Sequence, residues 1–157
     1  MNHHPANNKK WRDARVSRRY EILKTLIAAW SAGDIDAALA HMSDDIVWHY
    51  AAAIAPPLTG KVKARKFLER FKAELQEVRW RIFDYAERGD RLFVEGVDEY
   101  IAKDGARVLA PYAGVLQFRG DLICAWRDYL DVAVVDAQKA GAPASAWVAA
   151  LVDRPTA

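Results

Sequence analysis

Two aspartates occupy rows of apolar residues on two predicted β-strands. Side chains alternate across a strand, so the stretch 122–131 places on one face Leu122, Cys124, Trp126, Asp128 and Leu130. Asp128 is the carboxylate in this row. A carboxylate among apolar neighbours has a raised pKa and can exchange a proton near neutral pH. Asp128 is therefore a candidate catalytic residue, and the alternative is an ordinary acid on a solvated face.

The stretch 91–103 repeats the pattern. One face of this strand carries Leu92, Val94, Gly96, Asp98, Tyr100 and Ala102. Asp98 is the carboxylate in that row, and it supports the interpretation of Asp128 because the same arrangement occurs twice. If both faces line one concavity, Asp98 and Asp128 could work as an acid–base pair.

The order of the predicted elements indicates an α+β fold. Helical spacing and capping residues predict helices at 17–32, 35–42, 61–76 and 132–140. Alternation and turn residues predict strands at 46–50, 78–87, 91–103, 108–118 and 122–131. N-terminal helices followed by a long meander predict a cone-shaped, strongly curved mixed or antiparallel sheet packed on those helices, a cystatin-like α+β roll. A cone of this kind encloses an apolar site for a small molecule.

Three details of this prediction concern packing. The third helix is expected to bury Val62, Phe67, Leu68, Phe71 and Leu75. The run 43–45 is expected to break the second helix. The expected domains are a flexible tail at 1–15, one domain at 16–141, and a C-terminal extension at 142–157 whose apolar patch docks on the domain or on a second subunit.

Composition excludes several classes of protein. The 157 residues suffice for one domain with a core, and a net charge of +2 is too small to indicate nucleic-acid binding. The single cysteine, Cys124, rules out an intrachain disulfide framework. No apolar run reaches membrane length, and no signal-peptide pattern is present. We therefore expect a cytoplasmic protein with no metal, no cofactor, no nucleic-acid partner and no membrane association.

The layout resembles the nuclear transport factor 2-like superfamily, which includes SnoaL-like cyclases and steroid isomerases. Within it, the run 126–131, Trp-Arg-Asp-Tyr-Leu-Asp, resembles the Trp-Arg-Asp-Tyr-Phe-Asp segment of the limonene-1,2-epoxide hydrolases. This resemblance implies that Asp128 and Asp98 are catalytic. It also implies that Tyr50, which precedes a loop containing Pro56-Pro57, belongs to the site.

Two positions depart from that family. The arginine that lies between the family's carboxylates corresponds to Gly96, and the asparagine that helps to hold water corresponds to Ala52. Without the arginine, two nearby carboxylates repel and share one proton. We expect Asp128 to accept the proton, with Tyr50 as its donor, and Asp98 to be protonated. Three functions are compatible with these residues. They are an epoxide hydrolase-like enzyme, an isomerase or cyclase, and a non-catalytic binding protein or carrier for a small apolar molecule.

The same strand pattern predicts the pocket wall and an interface. The residues expected to contact substrate are Trp48, Tyr100, Tyr112, Trp126, Leu116 and Gly96, where the missing side chain is expected to admit substrate. The opposite sheet face is expected to be too apolar for water, since it carries Val97, Ile101, Ile123, Ala125 and Tyr129. We therefore expect a homodimer.

Overall fold

The computed structural model describes residues 17–52 and 54–157, so the predicted tail at 1–15 lies outside the described residues. The helices are α1 (Arg18–Ser31), α2 (Ile35–Ala40), α3 (Lys61–Glu74), α4 (Val132–Lys139) and α5 (Ala146–Ala149), which runs into a 3-10 turn at Ala150–Asp153. The strands are β1 (Met42–His49), β2 (Leu58–Thr59), β3 (Leu75–Arg88), β4 (Arg91–Ala102), β5 (Arg107–Arg119) and β6 (Leu122–Leu130). None of the helices in the described ranges is long and apolar enough to cross a membrane.

The strands form one curved, unclosed mixed sheet in the order β2-β1-β6-β5-β4-β3. β1 runs parallel to β6, and every other neighbouring pair is antiparallel. The inner face of the sheet packs against α1, α2, α3 and α4 to form the main hydrophobic core. The predicted α+β cone is confirmed.

Side-chain caps fix where the first helices begin. The Ser17 hydroxyl accepts a hydrogen bond from the Tyr20 N–H at 3.1 Å, and the Asp34 carboxylate accepts one from the Ala37 N–H at 2.9 Å. These bonds satisfy amide donors that the helix itself leaves free. α1 therefore begins at the predicted position.

Two of the packing expectations are wrong. The run 43–45 does not break a helix, because α2 already ends at Ala40 and β1 begins at Met42, where it pairs with Ile123 of β6. Val62 is 70% exposed, because it lies about 200° around α3 from the buried Ala64. The buried stripe of α3 instead includes Ala64 and Leu68.

A β-bulge in β6 changes which residues face the core at the start of that strand. Phe118 pairs with Ile123 but Gln117 pairs with Ala125, so Cys124 is the extra residue. Ile123 is consequently buried in the main core, where the sequence had placed it on the outer face. The predicted alternation is wrong at this end of β6 and correct from Trp126 onward, since the side chains of 126, 128 and 130 line the inner cavity.

The C-terminal extension covers part of the outer sheet face. Val148, Leu151 and Val152 pack on a cluster formed by Phe83, Val97 and Leu109, and Val97 has no exposed surface. The extension is further held by two hydrogen bonds between the Arg154 guanidinium and the Glu95 carboxylate, at 2.8 and 3.2 Å. Two of the residues that motivated the predicted dimer, Val97 and Ile123, are thus already covered within one chain.

Candidate functional site

A cavity of about 520 Å³ lies between the inner sheet face and helices α3 and α4. Both predicted acids line it: Asp98 from β4 and Asp128 from β6. Strand β5 lies between these two strands, with Ala110 opposite Asp98 and Gly114 opposite Asp128. The volume suits a small organic molecule.

Asp128 is held by two tryptophans. The Trp126 indole Nε1–H donates to Oδ1 at 2.7 Å, and the Trp48 indole Nε1–H approaches Oδ2 at 3.5 Å. Trp126 precedes Asp128 by two positions on the same strand face, and Trp48 pairs with Trp126 across the parallel β1–β6 ladder. Burial raises the pKa of Asp128 to about 7, and the two indole donors oppose that rise because they stabilise the ionised carboxylate.

Asp98 has fewer hydrogen bonds to its carboxyl group than Asp128 has. Burial raises its pKa to about 8; the neighbouring Trp80 indole lowers it in part, and the negative charge of Asp128 raises it further. Trp80 lies directly opposite Asp98 in the β3–β4 ladder. Within the described residues, however, neither Asp98 Oδ1 nor Trp80 Nε1 has a hydrogen-bond partner of normal geometry. The two acids therefore face one cavity in different environments, and Asp98 is the weaker acid.

Gly96 does not leave a gap. A Cβ atom at this position would lie 2.1 Å from the Arg81 backbone oxygen and 3.1 Å from the Tyr112 hydroxyl. The β3 strand is irregular beside Gly96, since Ile82 pairs with Gly96 but Asp84 pairs with Glu95. The expectation that Gly96 admits substrate is wrong, because the β3 backbone and the Tyr112 ring fill that space. No arginine can occupy this position on the present backbone.

The remaining predicted pocket residues divide into two groups. Tyr50, Trp48, Tyr100, Tyr112 and Trp126 all line the cavity. Leu116 does not, because it is fully buried in the main core on the part of β5 that pairs with Leu92. The prediction that Leu116 contacts substrate is wrong for this structure.

The surroundings of Tyr50 also differ from expectation. Its ring stacks on Phe67 with the centroids 4.6 Å apart. The hydrogen-bond donors to Asp128 are the two indoles described above, where the sequence had suggested Tyr50. Ala52 is buried, and its backbone N–H donates to the Asp128 carbonyl oxygen at 2.8 Å, so this position ties the loop to β6 instead of facing the cavity.

Sequence reasoning missed three aromatic residues of the wall: Phe67, Phe71 and Trp80. Phe67 and Phe71 are one helical turn apart on α3, and the helical spacing predicts both only as core residues. Trp80 shares a strand face with Val78 and Ile82, and this alternation could have identified it. Their ring centroids lie within about 6 Å of other cavity aromatics, as shown by the pairs Phe67–Phe71 at 6.1 Å and Trp80–Trp126 at 6.0 Å.

Besides Asp98 and Asp128, the charged residues that line the cavity belong to α3 and α4. Arg70 and Glu74 belong to α3, whereas Asp136 and Lys139 belong to α4, and all four are exposed. In residues 17–52 and 54–157, no three His, Cys, Asp or Glu side chains are grouped as a metal site would require. The cavity interior therefore contains two carboxyl groups surrounded mainly by aromatic and aliphatic side chains.

Comparison with known families agrees with this architecture. The sequence model of the SnoaL-like domain matches residues 23–126, more than half of the chain. The chain belongs to the SnoaL-like domain family. No curated protein shows significant similarity to this SnoaL-like protein. The family match ends two residues before Asp128, so Asp98 lies inside the matched range and Asp128 lies just outside it.

Solved structures share the fold of this SnoaL-like protein over most of its length. A Catenulispora acidiphila protein with a ketosteroid isomerase-like fold, solved in complex with trimethylamine, is 28% identical, with a TM-score of 0.68 over 79% of this chain and 95% of that chain. An epoxide hydrolase of limonene-1,2-epoxide hydrolase type from Mycobacterium tuberculosis is 21% identical, with a TM-score of 0.69 over 88% and 97%. A Shewanella putrefaciens protein classed as a SnoaL-like polyketide cyclase is 15% identical, with a TM-score of 0.72 over 81% and 99%.

Proposed function

We propose that this SnoaL-like protein is a cofactor-independent acid–base enzyme that transfers a proton on a small, largely apolar substrate. The observation that supports this most strongly is the unequal environment of its two cavity carboxyls. Asp128 receives two indole donors, whereas Asp98 Oδ1 has no hydrogen-bond partner within the described residues. Pairs of titratable groups whose environments separate their pKa values are the usual basis of acid–base assignments.

In this proposal Asp128 is the base and Asp98 is the acid. Between about pH 7 and pH 8 the pair holds one proton, which resides mainly on Asp98 because its pKa is the higher. Asp128 removes a proton from the substrate, while Asp98 donates one to the oxygen on which negative charge develops. The Trp126 and Trp48 indoles keep Asp128 ionised and oriented, and the aromatic wall holds the apolar part of the substrate.

Isomerisation or cyclisation fits these residues better than hydrolysis of an epoxide. Hydrolysis needs an attacking water held by several polar groups, and Ala52 is buried away from the cavity. Of the groups that the limonene-1,2-epoxide hydrolase resemblance assigns to that water, Tyr50 and Asp128 line the cavity.

A non-catalytic binding protein is the second candidate. The unpartnered Asp98 Oδ1 favours it, because a ligand could supply the missing hydrogen bond without reacting. The C. acidiphila protein, which is 28% identical, was itself solved in complex with a small molecule, trimethylamine. The two candidates differ in turnover, because an enzyme converts its ligand to product and a binding protein does not.

We also propose that the protein is a homodimer and that it is located in the cytoplasm. Outer residues that stay exposed and could contact a second copy are Phe93, Leu122 and Tyr129. A dimer mass by light scattering at micromolar concentration would support this proposal, and a monomer mass would refute it.

The catalytic proposal is tested with a panel of ketosteroids, simple enones and terpene epoxides. Wild type is compared with Asp128→Asn and Asp98→Asn, and with Asp153→Asn, which changes an exposed acid of the C-terminal extension. We expect each cavity variant to lose roughly 10²- to 10⁴-fold in kcat and the control to keep the wild-type rate. A substrate that is turned over equally by wild type and Asp128→Asn would exclude Asp128 as the base.

A further inference from the structure

Within residues 17–52 and 54–157, no positively charged side chain pairs with the two cavity acids. Among the described residues that line the cavity, the cationic ones are Arg70 and Lys139, and both side chains are exposed. Buried carboxylates are normally paired with a cation or with several donors. An arginine at position 96 is excluded by the 2.1 Å approach of the Arg81 backbone oxygen. The chain therefore leaves room for a cation supplied by a ligand.

The wall of the cavity is suited to a particular kind of cation. Aromatic rings attract a cation that lies within about 6 Å of the ring centroid, and they suit alkylated ammonium groups because these carry charge on an apolar surface. The rings form one continuous chain: Tyr50 contacts Phe67 at 4.6 Å, Phe67 contacts Trp48 at 5.2 Å, and Trp48 contacts Trp126 at 5.6 Å. A second branch continues from Phe71 to Tyr100 at 5.4 Å.

We propose that the cavity binds molecules carrying a small tertiary or quaternary ammonium group, held between this aromatic wall and the carboxyl groups of Asp98 and Asp128. The singly protonated acid pair carries one negative charge, and one ammonium group balances it. This proposal names the substrate class of the acid–base enzyme and in that respect rests on the proposed function. Binding itself requires no turnover and can be measured separately.

The proposal predicts how affinity depends on pH. The charged or titratable groups that line the cavity, element by element, are Tyr50 after β1, Arg70 and Glu74 of α3, Asp98 and Tyr100 of β4, Tyr112 of β5, Asp128 of β6, and Asp136 and Lys139 of α4. The exposed groups of α3 and α4 contribute two charges of each sign. Burial raises the pKa values of Tyr100 and Tyr112 further above their ordinary range, so both phenols stay neutral. The charge of the interior therefore changes mainly at Asp128 and Asp98, and it becomes more negative as pH rises from 6 to 9.

The test compares choline with 3,3-dimethyl-1-butanol, its neutral isostere of the same shape. Binding to the full chain is measured by calorimetry at pH 6, 7.5 and 9, with tetramethylammonium as a second cation. We expect choline to bind at least about 10-fold more tightly than the neutral isostere at pH 9, and the ratio to shrink at pH 6. The double variant Asp98→Asn/Asp128→Asn should reduce the ratio at pH 9 to within about 3-fold, because either acid alone is ionised at that pH and still supplies one negative charge. Asp153→Asn should keep the wild-type ratio.

Two results would overturn the inference: a neutral isostere that binds as tightly as choline at every pH, or a cation preference that the double variant Asp98→Asn/Asp128→Asn leaves unchanged. The wild-type pH series decides the question even if a variant fails to fold. Failure of the proposed function is distinguishable from failure of this inference. Choline preference without any turnover would contradict only the enzyme, and turnover of neutral enones without choline preference would contradict only the ammonium site.

Discussion

Asp98→Asn should stabilise the fold at alkaline pH, because the wild-type protein must keep an acid in a cavity that opposes its ionisation. In the unfolded chain Asp98 loses its proton near its ordinary pKa of 3.8, whereas in the folded protein it keeps the proton to about pH 8. Over this interval the folded state binds more protons than the unfolded state. Stability therefore falls as pH rises from about 4 to about 8, and no further loss from this residue occurs above that range.

The size of this stability difference follows from the shift in the pKa of Asp98. Each pH unit over which the two states differ by one proton costs about 1.4 kcal/mol. The full interval, from 3.8 to about 8, sets a ceiling of roughly 6 kcal/mol, and water that enters the cavity reduces this energy. Asparagine has nearly the same shape and no proton to lose. We therefore expect the variant to exceed wild type by on the order of 2–5 kcal/mol at pH 9 and to match it closely at pH 4.

Urea unfolding, followed by tryptophan fluorescence at pH 4, 6, 7.5 and 9, measures this difference. Asp153→Asn is the matched control, since it removes an exposed carboxylate, and its stability should follow wild type at every pH. A difference between Asp98→Asn and wild type that is the same at pH 4 and pH 9 would refute the reasoning. It would mean that Asp98 has an ordinary pKa in the folded protein.

Three further outcomes are expected. Trp126→Phe removes the 2.7 Å donor to Asp128 and should raise the pKa of Asp128 by about 1–2 units, measured by carboxyl carbon NMR; an unchanged pKa would show that the indole does not stabilise the ionised form. Gly96→Ala should lower the free energy of unfolding by more than about 2 kcal/mol, because its Cβ would meet the Arg81 backbone oxygen at 2.1 Å; chemical denaturation measures this, and a neutral effect would contradict the close approach. Deletion of 142–157 should uncover the outer apolar cluster and lower the unfolding midpoint, with increased dye binding to exposed apolar surface; an unchanged midpoint would show that the extension does not stabilise the domain.

Sequence periodicity was sufficient to place the acids. β4 is regular around Asp98, and β6 is regular from Trp126 onward, so a period of two predicts the inner face correctly there. The helix caps at Ser17 and Asp34 were also predictable, because each depends on a local hydrogen bond. Local rules succeed where the local geometry is regular.

The errors arose where the geometry is irregular or depends on distant residues. The bulge at Cys124 reverses the facing of Ile123, and no residue type near it marks a bulge. A side chain at position 96 is excluded by the backbone of a neighbouring strand, β3. The burial of Val97 depends on a segment about fifty residues later in the chain. These features are set by tertiary packing, which a single-sequence pattern does not contain.

The most direct test of the acid–base account is an NMR titration of the aspartate carboxyl carbons in the wild-type protein, from pH 3 to pH 10. The Asp128→Asn and Asp98→Asn variants assign the two resonances by their absence. The account predicts that both carboxyls titrate far above the ordinary value of 3.8, with Asp128 near pH 7 and Asp98 near pH 8. Titration of both groups below pH 5 would contradict the claim that this cavity holds an acid–base pair.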